Sequence, residues 1–347
     1  MQAVVLQRPK ELAVEAFADP VLEPGKVLVR ISRGGICGSD LHYFHDGGFG
    51  TVRMSEPMIL GHEICGRVAA LGAGVSGIAI GDAVAIDPSK ACGQCEFCRA
   101  GRPRHCSDMR FMGSAMRKPP VQGGFCEWVV CEAERAVPFA GPDIAEAAFC
   151  EPLAVCLHAV AQAGTVEGAR VAVAGLGPIG CLTLLGARHR GASEIVALDV
   201  AAPTLRMAER IGASRTINLS VAKERDALGE YAAGRGTFDV AFECSGHPQS
   251  LANCLNLVRP GGTIVQVGIY PDEVTAPLNI AVVKEITYRG TFRFDREFVE
   301  AAELIGRRAI DVRPLLSEVL PYADAVAAFA LAGDKSKAMK VQLAFAE

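Results

Sequence analysis

The chain is 347 residues long, 50% hydrophobic and 21% charged, with a formal net charge of −4. That length exceeds what one core usually fills, so two domains are expected. No basic run suits nucleic acid, no apolar run approaches the roughly 18 residues of a membrane span, and residues 1–8 hold too short an apolar stretch for a signal peptide, so a cytoplasmic protein without nucleic-acid or membrane partners is expected. Thirteen cysteines, an odd number, argue against a disulfide framework and for reduced thiols, some of them binding metal.

The chain opens with short stretches that alternate apolar and polar positions between turns. Residues 27–31 read as a strand after the Pro24-Gly25 turn, and residues 66–70 and 83–87 read the same way. Strands so short and closely spaced predict a partly open, barrel-like β unit. Among them lie two clusters of metal-ligating residue types. Gly35-Ile36-Cys37-Gly38-Ser39-Asp40-Leu41-His42-Tyr43 carries a thiol, and Gly61-His62-Glu63 carries an imidazole and a carboxylate. Any one of these alone reads as a core residue. Together, in Gly-rich turns, Cys37, His62 and Glu63 read as a catalytic zinc site with three protein ligands and one open position. Ser39 and His42 follow the thiol closely enough to carry a proton away from whatever the metal holds.

Cys92, Cys95, Cys98 and Cys106 come next, spaced C-x2-C-x2-C-x7-C. Four thiols so placed predict a closed, tetrahedral structural zinc. The bacterial iron–sulfur run has a shorter last gap and a proline after the final cysteine, whereas Ser107 follows here. With no position left for substrate, this metal would hold a long loop. His105 reads as a surface neighbour.

Residues 147–153 open an apolar helix running to about residue 163, with Glu151 near its start. The helix dipole alone accounts for an acid there; the functional reading is a metal or substrate contact. Residues 169–174 form a nearly all-apolar strand that runs into Gly175-Leu176-Gly177-Pro178-Ile179-Gly180 and then a helix, and the next strand, 194–198, ends at Asp199. Between a strand and a helix, with an acid about twenty positions on, this pattern is the dinucleotide fingerprint. The glycines admit a pyrophosphate at the helix N-terminus. Asp199 accepts from the ribose hydroxyls and repels a 2′-phosphate, which favours NAD over NADP. Strands at 215–219, 238–243, 263–267 and 286–292 complete a six-stranded doubly wound sheet. Helical segments at 297–307 and 322–333 and a strand at 338–343 return to the first unit. The catalytic domain is then residues 1–150 plus 293–347, and the coenzyme domain residues 151–292.

These motifs resemble the zinc-dependent medium-chain dehydrogenases over the whole chain, in the polyol branch that includes the sorbitol dehydrogenases. The likeness rests on residues 35–42, Gly61-His62-Glu63, the Cys92 to Cys106 lobe, Glu151-Pro152-Leu153 and residues 175–180. Within that branch the chain resembles the L-idonate 5-dehydrogenases, on residues 34–43 and 108–116, Ser245-Gly246-His247-Pro248, Phe292-Arg293-Phe294, Gly333-Asp334-Lys335 and residues 340–343. The resemblance implies an α/β fold in which a Rossmann doubly wound parallel sheet accompanies a GroES-like, partly open β-barrel catalytic domain. It implies two zinc ions, one catalytic and one structural, and NAD. Cys37 and His62 would bind the catalytic zinc with Glu63 or Glu151 as the third ligand, and Asp40 would orient His62. Tyr43, Glu151 and Arg293 fall on polyol-contacting positions. Ile179, Asp199, Val267, Gly268, Ile269, Thr291, Phe292 and Arg293 fall on NAD-contacting ones. The chain departs from the branch at Thr204, where an arginine is usual, and at Phe294, where a substrate-contacting tyrosine is usual. The second departure argues against sorbitol itself.

The expected reaction is oxidation of L-idonate at C5 to 5-keto-D-gluconate. A neutral polyol such as sorbitol or xylitol is the alternative substrate. A third reading, a non-catalytic nucleotide- or metal-binding protein, has no use for a proton relay. A sugar acid brings a carboxylate, and Arg293 and Arg110 are the candidate cations for it, although Arg110 also reads as a surface charge. Related dehydrogenases pair the last strands of their coenzyme domains, so a homodimer or homotetramer through residues 286–292 is expected.

Overall fold

Val27, Val29 and Ile31 are fully buried on the ten-residue strand Lys26–Gly35, and that inward alternation makes this strand the spine of the first unit. The computed structural model describes residues 1–270 and 273–345. It divides into one unit of Met1–Glu151 with Asp295–Glu347 and another of Pro152–Phe294.

In the first unit, Lys26–Gly35 pairs antiparallel with Glu63–Leu71 along one edge. Its other edge is shared. Trp128–Glu132 covers the beginning, and Lys340–Ala344 covers Arg33, Gly34 and Gly35 at the end. Two register shifts against Glu63–Leu71 bend the ladder, as a partly closed barrel requires. Ala83–Ile86 and Ala136–Pro138 extend the sheet on one side and Leu316–Pro321 on the other. Phe125 and Phe329 meet edge to face in the core beneath. The strand Leu316–Pro321, mostly exposed or half-buried, carries too little apolar signal to be read from sequence.

The second unit is a six-stranded parallel sheet. Its order runs Arg215–Asn218, Glu194–Asp199, Arg170–Ala174, Phe238–Glu243, Val258–Gln266 and Thr287–Gly290. The order reverses between Arg170–Ala174 and Phe238–Glu243, both almost wholly buried. Ligands of such sheets bind beyond the carboxyl ends of the strands, beside that reversal. Val258–Gln266 begins five residues before the expected start because Val258 already pairs with Phe238. Among the described residues no helix is long and apolar enough to cross a membrane.

Candidate metal centres and coenzyme site

Cys37 is not in a simple Gly-rich turn. It is the N-cap of a helix, Gly38–Asp46, whose C-cap is Gly47 in the left-handed conformation. Poor helix formers at both ends hide this helix in the sequence. Its period sorts the residues into two faces. Asp40 and Tyr43, three apart, are buried, while Ser39 is half-buried and His42 exposed. The buried Asp40 accepts from the Cys37 N–H at 2.9 Å and the Gly61 N–H at 3.1 Å, which ties the two clusters together.

One ligating atom each from Cys37, His62 and Glu63 lies within 4.8 Å of the others. His62 Nε2 is 3.5 Å from Ser39 Oγ, and its Nδ1, 3.7 Å from Asp40, is buried without a hydrogen-bond partner. A thiol, an imidazole and a carboxylate with ligating atoms converging this closely fit zinc. Glu63 reaches the cluster because Gly35 lies opposite it; a Cβ on Gly35 would stand 2.1 Å from Glu63 Oε2. Both Glu63 oxygens are 2.7 Å from Lys340 Nζ. Glu151, in the first turn of Cys150–Gln162, is buried and feels the charges of His62, Glu63 and Lys340.

With only the protein's own charges present, burial raises the Asp40 carboxyl and pushes Glu151 up to about 7. Burial works against a charged His62, but Asp40, Cys37 and Glu151 outweigh it and raise the imidazole well above its ordinary value. The same balance, with Glu63 as the main partner, raises buried Lys340.

Tyr43 is buried, and its hydroxyl oxygen accepts from the Ala115 N–H at 2.9 Å, which leaves its proton to donate. The strand pair Arg110–Phe111 with Ser89–Lys90 brings the Phe111 ring to 5.4 Å from the His62 ring. The pleat sends the exposed Arg110 to the opposite face. Phe111 and Lys340 are site residues that the motifs did not suggest.

The second metal cluster is self-contained. A tetrahedron with Zn–S bonds of ~2.3 Å sets its sulfurs ~3.8 Å apart. Here Cys95 and Cys98 sulfurs are 3.5 Å apart and Cys92 and Cys98 sulfurs 4.0 Å, and Cys106 Sγ accepts from the Cys92 N–H at 3.2 Å. All four cysteines are free and their sulfurs lie within 4.8 Å of one another. His105 is exposed, its ring 6.2 Å from Phe97.

In the second unit, Gly177 is the N-cap of Pro178–His189 and faces open space, so the backbone there can take a phosphate. A side chain on Gly180 would collide with the Gly175 carbonyl at 1.8 Å. Asp199 Oδ2 accepts from the Leu176 N–H at 2.6 Å, and Oδ1 accepts from Val200 and Ala201, which fixes the acid beside the loop. Val267, Gly268 and Ile269 follow one strand end, and Thr291, Phe292 and Arg293 another. Thr291 Oγ1 is buried without a hydrogen-bond partner, and Arg293 holds a left-handed φ of 55° with its guanidinium over the Phe292 ring. Pro178 and Ile179 form the first turn of the helix. This donor-rich rim fits a dinucleotide. At the two departures, Thr204 Oγ1 donates to the Ala201 carbonyl and Phe294 is buried.

A barrel-like unit with a thiol–imidazole–carboxylate cluster and a four-cysteine lobe, on one chain with a dinucleotide-binding sheet, defines a zinc-dependent dehydrogenase. The chain belongs to the zinc-binding alcohol dehydrogenase family: residues 23–141 match the alcohol dehydrogenase GroES-like domain and residues 178–307 the zinc-binding dehydrogenase family. It is 44% identical to L-idonate 5-dehydrogenase (NAD(P)(+)) of Escherichia coli strain K12 over 92% of this chain and 91% of that one. It is 34% identical to sorbitol dehydrogenase of Bacillus subtilis strain 168 over 92% and 89%. The crystal structure of the Escherichia coli L-idonate 5-dehydrogenase superposes with a TM-score of 0.94 at 42% identity, covering 99% of this chain and 98% of that one.

Proposed function

We propose that the protein oxidises L-idonate at C5 to 5-keto-D-gluconate with NAD. The 44% identity to a relative named for L-idonate, spread over 92% of the chain, carries this reading. In it, Cys37, His62 and Glu63 or Glu151 hold the catalytic zinc, and Cys92, Cys95, Cys98 and Cys106 hold the structural one. Zinc, when bound, acidifies a hydroxyl it holds, as it lowers the pKa of water from 15.7 to roughly 7. NAD, when bound, would supply the acceptor for the hydride of C5.

The chain's own residues do the rest. Ser39 Oγ takes the proton of the C5 hydroxyl and passes it on through His42, whose side chain is 63% exposed and delivers it to solvent. Asp40 keeps the His62 ring in its metal-facing orientation. The Tyr43 hydroxyl donates to a substrate oxygen, and Arg293 pairs with the substrate carboxylate. Arg110, on the face away from His62, is the weaker candidate for that carboxylate. The Gly175–Gly180 turn carries the pyrophosphate, Asp199 the ribose, and Val267, Gly268, Ile269, Thr291 and Phe292 the nicotinamide half.

Thr287–Gly290 is an exposed edge strand, and Val282 and Val283 beside it are 72% and 66% exposed, which supports pairing with a second copy in a homodimer or homotetramer. Thirteen free cysteines support a reducing, cytoplasmic setting.

Initial rates of NAD reduction with L-idonate, gluconate, sorbitol and xylitol test the reading. L-idonate should lead in kcat/KM by more than roughly tenfold. A lead for sorbitol or xylitol would replace the sugar acid by a neutral polyol.

A further inference from the structure

The Ser245-Gly246-His247-Pro248 turn has no task in the reaction as described. It follows Glu243, the last residue of the strand Phe238–Glu243, whose side chain is wholly buried. Among the described residues, the donors to its two oxygens are all neutral. Oε1 accepts from the Ser245 N–H at 2.9 Å and from the Ser245 hydroxyl, and Oε2 accepts from the Gly246 N–H at 3.1 Å and from the Gln266 side-chain amide. The Glu243 backbone carbonyl accepts from the Val267 and Gly268 N–H groups, each at 2.8 Å. Gln266 ends the neighbouring strand, and its amide is fully engaged. Its Nε2 also donates to the Gly268 carbonyl at 2.7 Å, while Oε1 accepts from the Tyr270 and Tyr288 hydroxyls, each at 3.0 Å.

Three adjacent strands, Arg170–Ala174, Phe238–Glu243 and Val258–Gln266, run into turns at this end of the sheet, and the turns nest against one another. A Cβ on Gly175 would stand 2.7 Å from the Ser245 nitrogen, one on Gly246 2.4 Å from the Ile269 carbonyl oxygen, and one on Gly268 2.2 Å from the Gly246 nitrogen. The first turn has its own anchor in Asp199, which accepts from the Leu176 N–H. The second and third are clasped from beneath by Glu243. Burying a carboxylate with no cation beside it is costly, and backbone pairing with apolar side chains would close a sheet end at less cost. What a fully satisfied polar network adds is one fixed arrangement of the loops above it. We propose that Glu243, with Gln266 oriented by the two tyrosines, is a positioning residue for the coenzyme. It locks Ser245 and Gly246 to Val267, Gly268 and Ile269, and so shapes the part of the rim that receives the nicotinamide half. The Gly175 turn and Asp199 hold the adenosine and the phosphates without it. This rests on the coenzyme reading above but not on the substrate or the zinc.

Calorimetric titration of the full-length zinc protein with NADH and with ADP supplies a readout that needs no turnover. ADP carries the adenosine and two phosphates but no nicotinamide half. Glu243→Gln fills the same space but turns an N–H2 group toward groups that are themselves donors, which opens the clasp. The Kd for NADH should rise by roughly tenfold, while that for ADP stays within about twofold of wild type. A residue that only stabilised the sheet would, in the folded variant, change both or neither. Gln266→Met leaves the carboxylate in place and should give the same split, with NADH weakened by roughly fivefold. The double variant should weaken NADH no more than Glu243→Gln alone, because both changes open one clasp. An unchanged Kd for NADH, equal weakening of NADH and ADP, or additive effects in the double variant would overturn the proposal. Gln266 is only half-buried, so Gln266→Met decides the matter if Glu243→Gln does not fold. Failure of the wild type to bind NADH would overturn the coenzyme reading as well, whereas NADH binding without the split overturns the proposal alone.

Discussion

The Asp40 carboxylate stands 3.7 Å from His62 Nδ1 while accepting the backbone N–H groups of Cys37 and Gly61. One fully buried acid thus sets the spacing between a thiol at a helix N-terminus and an imidazole on a separate turn. Asp40→Ala would leave the ring unheld and the Cys37 and Gly61 N–H groups unpaired. Metal affinity at the Cys37–His62 site should fall by roughly 10–100-fold, read by competition with a chromogenic chelator, while the four-cysteine site keeps its zinc. Equal affinity would mean that packing alone orients His62.

The four-cysteine lobe should be a folding element and nothing more. Cys95→Ser should remove one zinc per chain by elemental analysis and lower the melting temperature, since structural zinc contributes on the order of 10 kcal/mol in small domains. Turnover per remaining folded molecule should be unchanged. A fall in kcat at full folding would give the lobe a catalytic role.

Glu151 gives a pH prediction with a definite sign. Burial raises its carboxyl from 4.5 to about 7, so the folded metal-free protein binds a proton there that the unfolded chain releases. Stability from this group is therefore fully present below about pH 4.5 and is lost as pH rises to about 7. Glu151→Gln removes the titration. In chelator-treated protein its unfolding free energy should match wild type near pH 4.5 and exceed it above pH 7 by an amount on the order of 3 kcal/mol. A difference independent of pH would contradict the burial of a titrating acid.

Much of the site was legible because its chemistry is local in sequence. The four cysteines fall within one short loop, and the Gly175–Gly180 turn lies between its own strand and helix. What escaped depends on pairing between distant segments. Lys340 and Glu63 are 277 residues apart and meet only because Lys340–Ala344 continues the edge that Trp128–Glu132 begins. Phe111 reaches His62 through a two-residue strand with no signal of its own. Helix Gly38–Asp46 was hidden by Gly38 at its start and Gly47 at its end, and which of Arg110 and Phe111 turns toward His62 depends on a pleat that only the strand pairing fixes.

Asp199 should govern the choice of coenzyme. Asp199→Asn keeps an acceptor for the Leu176 N–H but removes the charge that repels a 2′-phosphate. The ratio of kcat/KM for NAD to that for NADP should fall by roughly tenfold or more. A constant ratio would place coenzyme selection elsewhere on the rim.

The most direct test is the coupling of L-idonate oxidation to one zinc. Chelation that empties the Cys37–His62 site but spares the four cysteines should abolish L-idonate-dependent NADH formation, and one equivalent of zinc per chain should restore it. Full activity with that site empty would contradict the assignment of Cys37 and His62 to catalysis.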